Sequence, residues 1–190
     1  NFIEIHCSNS TLKNILDGNV YNDTRRRPLI KYILWEFEKS IYKSINKSFN
    51  SKDMQLYKEL EIEHIYAQTT PLKMPAYGFN DYEDYMYNID RLGNLTLLLG
   101  NEQKKVSNMV PSDKALIYQT HFLTINQVLG HKICNNGFYK KDESLWGNYI
   151  ANFCLKRWGV NSVATNENEI IDTSKFELMT DEIENRIDTE

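Results

Sequence analysis

The chain has 190 residues, 41% of them hydrophobic and 25% charged, with a formal net charge of −4. That composition suits one globular domain long enough to bury a core. No apolar run reaches membrane-spanning length and no signal-peptide pattern is present, so a membrane protein is not expected.

The charge is uneven. Residues 161–190 carry nine acids and two bases, or −7, which leaves +3 on the preceding 160. The expected division is therefore a domain at 1–160 and an acidic C-terminal tail at 161–190. A mildly basic body is compatible with nucleic acid as a partner. Cys7, Cys134 and Cys154 are scattered and form no Cys-x-x-Cys pair. That excludes a zinc knuckle and fits a reducing, cytoplasmic setting. The chain opens on Asn rather than Met, and the expectation is a piece of a longer protein.

Leu12, Ile15 and Leu16 fall at helical spacing, with Asn9 or Ser10 placed to cap a short helix. Arg25, Arg26 and Arg27 precede Pro28, which suits a first helical turn. The helix that follows puts Leu29, Ile30, Ile33, Leu34, Phe37 and Ile41 on one side as a core-facing stripe. The arginine triplet at its start is a candidate phosphate contact. Residues 43–53 are polar, a loop or a frayed helix end. A strand follows at 61–65, where Glu61 and Glu63 alternate with Ile62. Residues 69–87 hold two prolines, Gly78 and Tyr77, Tyr82, Tyr85 and Tyr87. They read as a long loop with a short helix near 81–87, the tyrosines packing against the site or stacking on bases. Residues 93–99 read as a turn and a second strand, and a helix opens at 101–107. Pro111 breaks that helix or begins another, and 115–123 is helical. Asn135-Asn136-Gly137 is a turn. The last strong helix is expected at 145–158, with Leu145, Tyr149, Phe153 and Trp158 as its apolar positions and Gly159 as C-cap. Beyond it, the periodic stretch 170–187 either docks weakly or stays disordered. No internal repeat is present.

The chemistry gathers at the first strand. Glu63 and His64 stand at its end, and the Asn94-Leu95 run and an amide-rich helix start come after it. Acid-His, then Asn-Leu, then amides is the layout of a one-metal nuclease site. A carboxylate and an amide there hold one Mg²⁺, and a neutral His takes a proton from water. His64 is the candidate base, since imidazole titrates near neutrality. Glu63 is the candidate ligand, with Glu61, of the same strand parity, as fallback. Adjacent strand residues point to opposite faces. For Glu63 and His64 to serve one site, the strand has to end or bulge between them. His6, His121 and His131 lie outside these motifs and read as structural or surface.

The segments IEHIYAQ, RLGNLTLL and KKVSNMVPSDK, taken together, resemble the His-Me finger (HNH) endonuclease domain at the C-terminus of GmrSD-type modification-dependent restriction enzymes. A wider likeness runs from RRPLIKYILWEFE to LWGNYIANFCLKRW, residues 26–158. The resemblance implies an α+β fold, a mainly helical domain around a small ββα-metal core. It implies metal-dependent hydrolysis of DNA phosphodiester bonds with Mg²⁺ or Mn²⁺. Asn94 resembles the family's central Asn, whose side-chain amide bridges backbone groups across the loop and so orients His64. Gly93 before it would permit a turn with positive φ. Gln103, nine positions after Asn94, stands where the family carries its amide or imidazole metal ligand, usually Asn. Asn101 is its rival if the helix starts two residues earlier. Asn108 matches the family pattern and would shape the helix end, and Lys114 occupies the family's Lys position. Lys104, Lys105 and Lys114 are candidate phosphate contacts.

The implied setting is bacterial defence against phage or foreign DNA, with an N-terminal nucleotide-hydrolysing domain or subunit outside this chain. The alternative is the same fold without a metal at Gln103, holding DNA or a partner protein without cleaving. The acidic tail would compete with DNA for basic groups, mark a docking surface, or solubilise the chain.

Overall fold

The computed structural model describes residues 9–44, 55–69 and 72–159. The acidic tail and the periodic stretch at 170–187 lie outside the described residues, as do His6, Cys7 and most of the polar segment at 43–53. The described chain is α+β and mainly helical. Helix α1 spans Asn9–Leu16 and α2 spans Arg27–Ser44, entered through a 3₁₀ turn at Thr24–Arg26. Strand β1 is Leu60–His64 and α3 is Tyr82–Asn88. A 3₁₀ turn at Leu92–Asn94 feeds β2, Leu95–Leu99, which runs straight into α4, Gly100–Val106. Helices α5 (Pro111–Gln119), α6 (Thr124–Asn136) and α7 (Lys140–Trp158) complete it. No helix among the described residues is long and apolar enough to cross a membrane.

The two strands pair antiparallel in an unbroken register, from Leu60 opposite Leu99 to His64 opposite Leu95. There is no bulge, and β1 stops at His64. Strand β2 is buried on both faces through Leu95, Thr96, Leu97 and Leu98, because helices cover both sides of the ribbon. The core joins Ile30, Ile33, Leu34, Trp35 and Phe37 of α2 to Ile125, Val128 and Leu129 of α6 and Trp146, Ile150 and Ala151 of α7. Each large apolar side chain so buried contributes about 1.5–3 kcal/mol.

The boundaries differ from periodicity in four places. Leu29 is 57% exposed, so the stripe on α2 begins at Ile30 and takes in Trp35. Pro111 begins α5 at its first position, where its missing N–H has no partner to lose. Helix α7 starts at Lys140, five residues before Leu145, where the Asp142 carboxylate reaches back to accept the Tyr139 N–H at 2.8 Å. Its buried face is Trp146, Ile150, Ala151 and Cys154, while Leu145 is 49% exposed. Gly159 ends it with φ −59°, and not in the left-handed conformation.

The fourth difference is α6 itself, which local pattern does not announce. Its cap residue, Leu123, has no side-chain acceptor. The first turn is capped from elsewhere: Thr124 and Ile125 donate backbone N–H groups to Oε1 and Oε2 of the buried Glu38 on α2, both at 2.8 Å. Burial pushes that carboxyl up to about 7, against the pull of the two N–H donors. Gly130 lets α5 cross α6 closely, since a Cβ there would lie 2.5 Å from the Gln119 nitrogen.

Candidate functional site

The site is built on the end of β1. Alternation sends Glu63 and His64 to opposite sides of the ribbon. Both are buried, yet they meet different groups.

Glu63 faces α5. The Lys114 ammonium, itself fully buried, donates to Glu63 Oε1 at 2.6 Å and to the His64 carbonyl at 2.5 Å. Loss of water pushes the Glu63 carboxyl up and the Lys114 ammonium down, and their mutual attraction opposes both shifts. The Gln103 side chain, on α4, lies near enough to the Glu63 carboxylate to favour its ionised form slightly. Thr96 lies opposite Glu63 in the register and opens a buried polar chain. Its hydroxyl reaches Asn126 Oδ1 at 2.5 Å, and Asn126 Nδ2 donates to the Leu97 carbonyl at 2.6 Å and lies 2.9 Å from His121 Nδ1. Burial pushes His121 down to about 4. The ring is therefore neutral near pH 7, its Nδ1 accepting the Leu123 N–H at 3.1 Å. Burial, then the charge of Glu63, pushes the Tyr118 hydroxyl well above its ordinary value.

His64 meets a different set. Its Nε2 lies 3.2 Å from Asp90 Oδ1, with side-chain exposures of 9% and 17%. Gln68 Nε2 donates to the same oxygen at 3.0 Å. The hydrogen bond from His64 is the chief cause that holds the Asp90 carboxyl below its ordinary value. The Tyr21 ring meets the imidazole edge-on, with centroids 4.5 Å apart. The Arg27 guanidinium lies over the Tyr21 ring, 4.2 Å from its centroid.

Asn94 is fully buried and ties the chain leaving β1. Its Oδ1 accepts the Tyr66 N–H at 2.7 Å, and its Nδ2 donates to the carbonyls of Tyr66 at 3.1 Å and Ile89 at 2.7 Å. Its own carbonyl accepts the Ile65 N–H at 2.8 Å. These bonds fix the segment that follows His64 and bring residues 89–90 beside it. Gly93 is needed for closeness and not for a positive φ: a Cβ there would fall 1.9 Å from the Glu143 carbonyl of α7.

The candidates thus divide. Glu63 and Gln103 come together on one side, and His64 stands at the strand end on the other. Asn101 is exposed, its Oδ1 taken by the Glu102 N–H at 2.9 Å. Glu61 is exposed as well. Lys114 requires a correction, because it is sealed against Glu63 and does not face phosphate. Lys104, Lys105 and Asn108 are exposed on and after α4. Arg25 and Arg26 pair with Asp23 at the surface, and Arg27 alone of the triplet reaches the His64 neighbourhood. Of the loop tyrosines, Tyr77 and Tyr85 pack on Tyr66, whereas Tyr82 is 55% and Tyr87 68% exposed. Sequence reading missed Asp90, Tyr21 and Tyr118; the motif that could have flagged Asp90 is its place three residues before Gly93-Asn94.

No three His, Cys, Asp or Glu side chains among the described residues gather to hold a metal. The carboxylate and amide of the expected donor set are near each other, Glu63 and Gln103, and the carboxylate is taken by the Lys114 ammonium. A hard cation such as Mg²⁺ keeps several of its waters, and Glu63, 1% exposed, has no room for them while Lys114 is in place. The sequence model of one family, described as GmrSD restriction endonucleases, C-terminal domain, matches residues 7–170. No curated protein and no solved structure matches the chain.

Proposed function

The chain belongs to the GmrSD restriction endonuclease C-terminal-domain family, and we propose that it is the nuclease part of such an enzyme, a metal-dependent endonuclease that hydrolyses DNA phosphodiester bonds. The observation that carries this is the setting of His64. It ends β1, gripped between the Tyr21 ring and the Asp90 carboxylate, one residue after Glu63.

His64 takes a proton from water, the water oxygen attacks phosphorus, and the bond to the 3′ oxygen breaks, that oxygen leaving as a hydroxyl with a proton from solvent. Glu63 and Gln103 would hold Mg²⁺ or Mn²⁺ only with Lys114 withdrawn from the carboxylate, and the bound ion would supply Lewis-acid stabilisation of the charge on the phosphate oxygens. Arg25, Arg26, Arg27, Lys104 and Lys105 hold phosphates along the strand. The reaction serves restriction of phage or foreign DNA in the cytoplasm, alongside a nucleotide-hydrolysing domain or subunit outside this chain.

One observation favours a second reading. Lys114 already places a cation on the Glu63 carboxylate, and a domain that keeps it there would bind DNA or a partner without cutting. Plasmid nicking by the purified chain with Mg²⁺ or Mn²⁺, stopped by EDTA, separates the two. Replacing the base, His64→Ala, is expected to lower the nicking rate by about 10²–10⁴ while the melting curve stays near that of the parent. A folded His64→Ala protein that nicks at the parent rate overturns the assignment.

A further inference from the structure

We propose that Asp90 is a positioning residue for His64: it holds the imidazole as the Nε2–H tautomer and so leaves Nδ1 as the basic atom. The inference rests on the nuclease reading for its role in catalysis, but the tautomer itself does not depend on that reading.

An ionised carboxylate only accepts hydrogen bonds. With Asp90 Oδ1 at 3.2 Å from His64 Nε2, the proton of a neutral ring has to sit on Nε2. The lone pair is then on Nδ1. A pairing of carboxylate and imidazole fixes both the tautomer and the ring plane, because the two are set by one bond.

The carboxylate is itself fixed. Gln68 Nε2 donates to the same Oδ1 at 3.0 Å, so the oxygen that faces His64 is held from two directions. The backbone of Asp90 is tied to the second wall of the ring, since the Tyr21 N–H donates to the Asp90 carbonyl at 3.1 Å. Tyr21 closes on the imidazole edge-on at 4.5 Å. Asp90 and Tyr21, joined through their backbones, therefore grip His64 from two sides. Asn94 places the clamp, because its Nδ2 holds the carbonyl of Ile89, the residue before Asp90. Arg27, stacked on Tyr21, is the cation whose charge reaches Asp90. It is the charged group facing the pair from the neighbouring elements.

The test reads the ring directly. The 190-residue chain is labelled with ¹⁵N-histidine and its long-range ¹H–¹⁵N spectrum recorded without metal or DNA, with His64→Gln identifying the His64 signals. In the parent, His64 is expected to show widely separated ring nitrogens, the protonated one being Nε2. In Asp90→Ala the two nitrogen shifts are expected to draw together as the tautomers mix, and Asp90→Glu is expected to restore part of the separation. Asp90→Asn, which keeps shape, serves if Asp90→Ala is poorly folded; an amide either donates or accepts, so it too releases the tautomer. If the nuclease reading is right, Asp90→Ala also slows nicking roughly ten- to hundred-fold in kcat with KM little changed. An unaltered Nε2–H spectrum in folded Asp90→Ala and Asp90→Asn, or mixed tautomers in the parent, overturns the proposal. Tautomer mixing in the variants with no nicking by any form leaves Asp90 as the positioning residue and removes the nuclease reading instead.

Discussion

Glu63 and His64 are neighbours on one strand, each with a partner of opposite character, and they are treated in opposite ways. Glu63 is sealed: its partner Lys114 is 0% exposed in its side chain, and the pair sits among Gln103, Thr96 and Tyr118. His64 is held at the edge: its partner Asp90 keeps 17% exposure and is shared with an exposed Gln68. A strand end makes this possible, since parity sends consecutive side chains to different environments. The sealed side is where stability is concentrated, because a buried charge needs its counter-charge. The edge side is where a side chain can exchange protons with water at little structural cost.

The largest expected effect is on the sealed side. Lys114→Met leaves the Glu63 carboxylate buried without its cation and is expected to lower unfolding free energy by about 3–5 kcal/mol. Urea denaturation measures this, and adding Glu63→Gln should recover part of the loss. A Lys114→Met protein as stable as its parent would remove the contrast between the two sides.

Next comes the staple between them. Asn94→Ala strands the Tyr66 N–H and two backbone carbonyls in a buried place, an expected loss of about 2–4 kcal/mol. It should also slow nicking, because the segment after His64 is no longer tied. Loss of stability with full activity would show that Asn94 does not serve the ring.

His121 extends the sealed side and gives it a pH signature. Its folded pKa, about 4, lies below the ordinary 6.5, so the folded state binds fewer protons between those values. Its contribution is full above pH 6.5 and is lost as pH falls toward 4. Glu38 and Glu143, raised to about 7 by burial, act in the other sense, losing stability as pH rises from 4.5 toward 7. The comparison of parent with His121→Gln isolates the first effect. Stability in urea at pH 7 minus that at pH 5 should be lower in the variant than in the parent, by on the order of 1–2 kcal/mol. An identical difference would show that His121 titrates normally.

The smallest stability change belongs to the edge. Tyr21→Leu removes an edge-on ring contact worth about 0.5–1.5 kcal/mol, yet it takes one wall from His64. Nicking is expected to fall more than the melting point suggests. Equal losses in both would mean that Tyr21 is only packing.

Much of this was legible in the residues. The stripe Ile30, Ile33, Leu34, Phe37 gives α2, because a 3.6-residue period needs nothing beyond its own neighbourhood. Alternation at 61–63 and the apolar run after Asn94 give the two strands, and Glu63, His64 and Asn94 stand out by type and spacing alone. What local order could not decide was every pairing across the chain. Lys114 lies 51 residues from Glu63, and sequence leaves its ammonium free to face a phosphate; only the approach of α5 to the end of β1 buries it. Asp90 lies 26 residues from His64 and joins it because Asn94 folds the 89–90 segment back. Helix α6 has no cap of its own and takes one from Glu38, 86 residues away. Periodicity and residue type act over a few positions, so the sequence determined the elements and the chemistry available to them. A buried charge or an uncapped helix end is satisfied by whichever side chain packing brings within 3 Å or so, and that choice is made by the tertiary structure.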